Sequence, residues 1–240
     1  MAERWNGRFL LVASAVDGYA ERTALMQGEL LAGFARVLDA AAWEAGLARD
    51  SWRIRRSSGS ELAVLPGTEN EAEVVGRFVE KLATALTERN RTAAEAARVR
   101  LRVAVHSGQT IEGPHGFSGS GPVTAERLRD CPELVAALAA APAADLAVIV
   151  ADPVYQDTVA GQLTPLEPGD LREVKVRGSH AWFWLPGHAL PEPPPAGPGP
   201  AGAGQERPKP PAGGGPSVSI VGNTINSTYF AVGDIHGAQG

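Results

Sequence analysis

Residues 99–128, VRLRVAVHSGQTIEGPHGFSGSGPVTAERL, set the frame for the rest of the chain. Leu101, Val103 and Val105 alternate with Arg100, Arg102 and Ala104, the period-two pattern of a strand. Gly108 reads as a turn, after which 109–112 return antiparallel. A loop rich in glycine and serine follows, with Gly116, Gly119 and Gly121. A helix is expected from about Val123, carrying Arg127.

Outward from this stretch, strands and helices interleave. Residues 8–16 form a near-continuous apolar run, as expected of a central strand covered on both faces. Asp17 and Gly18 turn the chain. In 22–45, Leu25, Leu31, Phe34, Leu38 and Ala41 recur at helical spacing, Leu30 and Val37 widen the stripe, and Gly46 stops it. Residues 52–56 and 61–65 read as a hairpin around Ser57–Ser60, and 71–89 as a second amphipathic helix. Pro132 breaks the helix begun near Val123, and 133–140 resume it. Residues 146–150 form another apolar strand, and 171–176 with 181–185 a last hairpin. Hairpins demand antiparallel pairing, while the interleaved helices demand crossovers. The expected class is therefore α+β: a ferredoxin-like mixed sheet with helices packed on it.

Composition narrows the functions available. The chain has 240 residues, 44% of them hydrophobic, enough for one domain and a tail. A net charge of −5 argues against a nucleic acid held by bulk electrostatics. The single cysteine, Cys131, excludes an intrachain disulfide and a multi-cysteine zinc site, and reads as a half-buried residue at a helix start. No run approaches the roughly 18 apolar residues of a membrane span. Arg4, Arg8, 9–12 and Ala13-Ser14-Ala15 imitate a signal peptide, but Glu3 and the βα pattern that follows favour a buried first strand. A cytoplasmic location without a membrane partner is expected. The five histidines are scattered, and His106 ends a central strand as a core-edge residue.

Three regions follow from composition: a domain at 1–187, a linker at 188–216 made mostly of Pro, Gly and Ala and expected to be disordered, and a β-prone tail at 217–240. The tail places Val218, Ile220, Ile225, Tyr229, Phe230, Val232 and Ile235 among Asn, Ser, Thr and Gly, with Asp234 its only charge. High β-propensity, low charge and amide side chains suit cross-β ladders. Strand addition to a partner's sheet edge is the alternative. The tail resembles short amyloid-like signalling motifs, which implies protein partners recruited through Ile220, Ile225, Tyr229, Phe230, Val232 and Ile235. Its pentapeptide Gly233-Asp234-Ile235-His236-Gly237 also resembles the first metal motif of calcineurin-like metallophosphoesterases. That motif needs further ligands downstream, and only three residues follow it here.

Residues 101–108, LRVAVHSG, and 121–128, GPVTAERL, resemble the pattern R-I-G-I-H-x-G … G-x-x-V-N-x-A-x-R-L of class III nucleotide cyclase homology domains. The likeness extends over about 8–187. The Ala/Arg/Gly/Pro-rich composition suits the high-GC actinobacterial signalling type. The resemblance implies two metal-holding aspartates, but their positions fall on Ala15 and Gly59, which offer no side-chain ligand. The catalytic asparagine position falls on Val123. The arginine position four residues later is retained as Arg127. The base-selecting positions fall on Arg55 and Gly116. Asp17 and Glu61 lie two residues from the metal positions, a displacement of about 7 Å along a strand. Metal ligation tolerates a few tenths of an ångström.

The expected function is a non-catalytic, cyclase-like signalling or adaptor protein with no cofactor. Its domain dimerises or senses a ligand, and its tail recruits or assembles partners. Asp17, Arg55, Glu61 and Arg127 are the candidate ligand-binding residues. The alternatives are a divergent cyclase using magnesium or manganese, and a nucleotide-binding sensor.

Overall fold

The computed structural model describes residues 5–192. The tail 217–240 and nearly all of the linker lie outside them, and with the tail the expected assembly residues Ile220, Ile225, Tyr229, Phe230, Val232 and Ile235.

Among the described residues, eight strands form one mixed sheet. They are β1 (Asn6–Val16), β2 (Arg53–Ser57), β3 (Ser60–Val64), β4 (Leu101–Gly113), β5 (Gly116–Ser118), β6 (Leu146–Ala151), β7 (Arg172–Val176) and β8 (Ser179–Trp184). The order across the sheet is β2-β3-β1-β4-β6-β8-β7, with β5 folded back onto β4. The β4–β6 pair is parallel, and all the other pairs are antiparallel. The first helix is α1 (Ala24–Ala45). Glu71–Glu73, a π turn at Val74–Phe78 and Val79–Asn90 join into one continuous helix, α2. Next come α3 (Ser120–Arg129) and α4 (Pro132–Ala140). Asp152–Tyr155 and a π turn at Gln156–Ala160 join as α5.

Both faces of the sheet are covered, which is why β1 reads as an unbroken apolar run. Leu10, Val12 and Val16 face a core shared with Phe34 of α1, Phe78 and Leu82 of α2 and Val154 of α5. Leu11 and Ala13 face a second core with Ala125 and Leu128 of α3 and Leu134 and Leu138 of α4. Residues 9–12, which imitate a signal segment in sequence, lie inside β1.

Several local expectations are corrected. Gly108 is not a turn: β4 runs on to Gly113, and the return strand is β5. Gly108 is glycine because a Cβ there would lie 2.6 Å from the Gly121 Cα, where α3 begins. Helix α3 starts at Ser120 rather than Val123, with Pro122 in its first turn, where no backbone donor is needed. Leu25 is 79% exposed. It lies nine residues, or about 180° of helical rotation, from buried Phe34. Leu31 also reaches solvent, and the true stripe is Leu30, Phe34, Val37, Leu38 and Ala41. Helix α5 has no counterpart in the sequence reading. Two short pieces joined through a π turn leave too little periodicity to detect. Cys131 is fully buried rather than half-buried and occupies the N-cap position of α4.

Candidate functional site

The carboxyl end of β1, the β2–β3 turn and helix α3 bring the positions singled out in the sequence into one region. The β1–β3 ladder pairs Ala15 with Ser60, and the Val16 amide donates to the Gly59 carbonyl at 2.8 Å. Ala15 and Gly59 are therefore neighbours across the ladder. Gly59 occupies the left-handed region at φ +70°, and a Cβ there would fall 2.4 Å from the Tyr19 ring. The Tyr19 side chain takes the volume that a side chain at 59 would need.

On its other side, β1 pairs Ala15 with Arg102 of β4. Residues directly opposite in an antiparallel pair project to the same face. The Arg102 Nη1 donates to Asp17, and its Nη2 lies 3.5 Å from Asp130 Oδ1. Arg100 approaches Asp17 at 3.9 Å and donates to the carbonyls of Leu138, Ala141 and Ala144, anchoring the end of α4. Arg129 grips the Asp130 carboxylate with two nitrogens, at 3.0 and 2.5 Å. Burial opposes ionisation of Asp130, but hydrogen bonding and charge from Arg129, then Arg102, outweigh it. The carboxyl is held below its ordinary range.

The remaining positions are placed as follows. Asp17 is engaged by Arg102 and Arg100. Glu61 is 2% exposed and faces away from Ala15, on the side of α1. It accepts from Arg49 at 2.7 Å and from Arg56 at 3.0 Å. Each candidate carboxylate thus already has arginine partners. Arg55 on β2 donates to Glu126 on α3 at 2.5 Å, and its Cδ stands 3.2 Å from where a Cβ on Gly116 would be. Arg55 and Gly116 both line a cavity of about 600 Å³, with Arg53, Glu112, His115 and Phe117. Val123 is 52% exposed on α3, and Arg127, one turn on, is exposed too. A cavity of about 1260 Å³ opens elsewhere, between α2 and the 165–173 and 184–190 segments, and none of these positions lines it.

The residues do not fit the two-metal chemistry that the fold implies. Ala15 and Gly59 supply no donor, and the Tyr19 ring fills the space at 59. No group of three or more His, Cys, Asp or Glu side chains with metal-binding spacing occurs among the described residues. Sequence reasoning missed Arg102, Arg129, Asp130 and the role of Tyr19. The available signal was an arginine at 102 in a strand whose neighbours at 101 and 103–105 are all apolar.

Comparison with known proteins agrees with the fold. No protein-family model and no curated relative matches the sequence. Solved structures do. An adenylate/guanylate cyclase/hydrolase from Silicibacter pomeroyi superposes with a TM-score of 0.53 at 19% identity, over 76% of this chain and 99% of that one. The guanylyl cyclase Cya2 gives 0.52 at 10% identity, over 79% and 97%. A non-canonical dimeric guanylyl cyclase domain of the RhoGC fusion protein from Blastocladiella emersonii gives 0.51 at 14%, over 76% and 97%. The chain has the fold of a class III nucleotide cyclase homology domain. At these identities the likeness is one of fold. No helix among the described residues is long and apolar enough to cross a membrane.

Proposed function

We propose that this chain is a cyclase-fold signalling or adaptor protein that does not turn nucleotides over. The observation that supports this reading is the absence of any side-chain ligand at Ala15 and Gly59, neighbours across the β1–β3 ladder where the resemblance calls for two carboxylates, with the Tyr19 ring filling the space beside 59. Losing the metals removes the main electrostatic stabilisation of the transferring phosphates. No cofactor is needed for the proposed role. The domain forms a homodimer, in keeping with a dimeric structure among its fold relatives. The tail 217–240 recruits protein partners or assembles through its apolar β-prone residues, and the protein works in the cytoplasm.

A second reading, a nucleotide-binding sensor, is favoured by the cavity beside Arg55 and Gly116. One experiment separates the readings. The full chain is incubated with ATP or GTP and with magnesium or manganese, and cyclic nucleotide is measured by mass spectrometry alongside equilibrium binding. Neither product nor binding is expected of an adaptor. Binding without product identifies a sensor. Metal-dependent product that disappears in Asp17→Ala overturns the proposal in favour of a divergent cyclase.

A further inference from the structure

Arg102 and Arg129 have more donors than partners. Arg102 Nε and Arg129 Nη1 are buried with no hydrogen-bond partner. Their side chains are only 15% and 9% exposed. Both guanidinium groups converge on Asp130, which is 47% exposed. Asp130 follows the last residue of α3, and its backbone has left helical geometry at φ −102°, ψ 14°. The cations are thus fixed by burial, while the anion that covers them faces water at a helix end.

We propose that Arg102 and Arg129 form an oxyanion site that takes a phosphate group without a metal, and that Asp130 is its internal occupant. Guanidinium forks match phosphate geometry, and charge-assisted bonds from two of them fix the group in place. When Asp130 rotates outward into solvent, the nitrogens it holds now are free for the incoming oxygens. The orphaned Arg102 Nε, on the same edge as the Nη2 that meets Asp130, supplies a further donor. Two buried guanidinium groups without full partners are costly, and a tetrahedral oxyanion satisfies more of their N–H groups than one carboxylate does. Asp17 keeps Arg102 oriented throughout. No bond is made or broken.

This inference rests on the reading of the region as metal-free, and the test separates the two. Inorganic pyrophosphate is titrated into the full chain by calorimetry with EDTA present, and again with magnesium. Binding in EDTA is expected, about tenfold tighter in Asp130→Asn, where the competing charge is gone, and lost in Arg102→Gln. An Asp130→Asn chain that binds pyrophosphate no tighter than wild type overturns the proposal. So does binding unchanged by Arg102→Gln. Binding that appears only with magnesium instead overturns the metal-free reading. If Arg102→Gln fails to fold by circular dichroism, the Asp130→Asn result decides alone. A parallel ATP titration distinguishes the sources. ATP that competes with pyrophosphate identifies a nucleotide phosphate, pyrophosphate binding alone identifies free phosphate, and binding of neither overturns the site.

Discussion

Arg102 stands across the β1–β4 ladder from Ala15, its guanidinium bound to Asp17 and Asp130. That placement has two effects. Arg102 holds Asp17 together with Arg100, and it ties the end of α3 to the sheet.

Restoring the two missing carboxylates will therefore not restore a cyclase. In Ala15→Asp/Gly59→Asp, the carboxylate introduced at position 15 meets Arg102, and the side chain introduced at 59 meets the Tyr19 ring in a left-handed backbone conformation. Backbone strain and overpacking together should lower stability by at least about 2 kcal/mol. Urea denaturation reads the stability, and mass spectrometry should find no cyclic nucleotide.

Glu61→Ala should be among the most damaging single changes. It leaves the Arg49 guanidinium, 8% exposed, with only the exposed Asp39 carboxylate as partner. Breaking a buried pair from one side costs about 3 kcal/mol when the charge is left alone, and Asp39 should hold the loss to about 2 kcal/mol. Glu61→Gln keeps the shape and an acceptor, and should cost less. Arg55→Ala is the contrast. Its partner Glu126 is 36% exposed, so the loss should stay below about 1 kcal/mol and shrink in high salt. Chemical denaturation of the three variants side by side checks the ranking.

Gly108→Ala should destabilise by about 2 kcal/mol or more, although β4 tolerates any residue's backbone angles at that point. The added methyl is driven against the Gly121 backbone, which cannot rotate away as a side chain would. A compensating loss of contact between α3 and β4 should appear as faster amide exchange in Ala125 and Leu128.

His106 gives the protein an acid sensitivity. Burial, then the nearby charge of Arg8, pushes its imidazole down to about 4, against an ordinary value of 6.5. Between those values the unfolded chain takes up a proton that the folded chain refuses, so stability falls as pH drops from 6.5 towards 4. The loss is complete below the folded value. His106→Gln should flatten the stability profile across that window relative to wild type, as read from thermal midpoints.

A peptide of residues 217–240 should form thioflavin-positive cross-β material at high concentration. Ile225→Asp/Tyr229→Asp should abolish it, because stacked charges cannot share a ladder. A wild-type peptide that stays soluble and unstructured overturns the assembly role.

The layered α+β plan was legible because it rests on periodicity and on unbroken apolar runs. The strand at 101–105 and the helix at 71–89 announce themselves by spacing, and the resemblance over 8–187 fixed their arrangement. What escaped has a common cause. Gly108 has the composition of a turn, yet its role is a close approach to Gly121, a contact between residues that only the folded chain brings together. Arg102 and Asp17 are 85 residues apart in sequence, and nothing local marks them as partners. The loss of metal ligands at Ala15 and Gly59 was readable from alignment to a motif. That the Tyr19 ring fills the space beside Gly59 is decided by packing between segments distant in the chain.

The sheet's strand order also dictates a timetable during synthesis. The hairpins β2–β3 and β7–β8 join neighbours in sequence, so each closes a short loop soon after it emerges. Strand β1 is made first, but its longest ladder waits for β4, and β4 in turn waits for β6 to cover its other edge. An apolar strand at the very start of the domain is thus left uncovered longest on the ribosome. Newly made protein should lean on holdase chaperones in that interval, and strain at the β1–β4 seam should show first as lost yield rather than as a lower melting temperature.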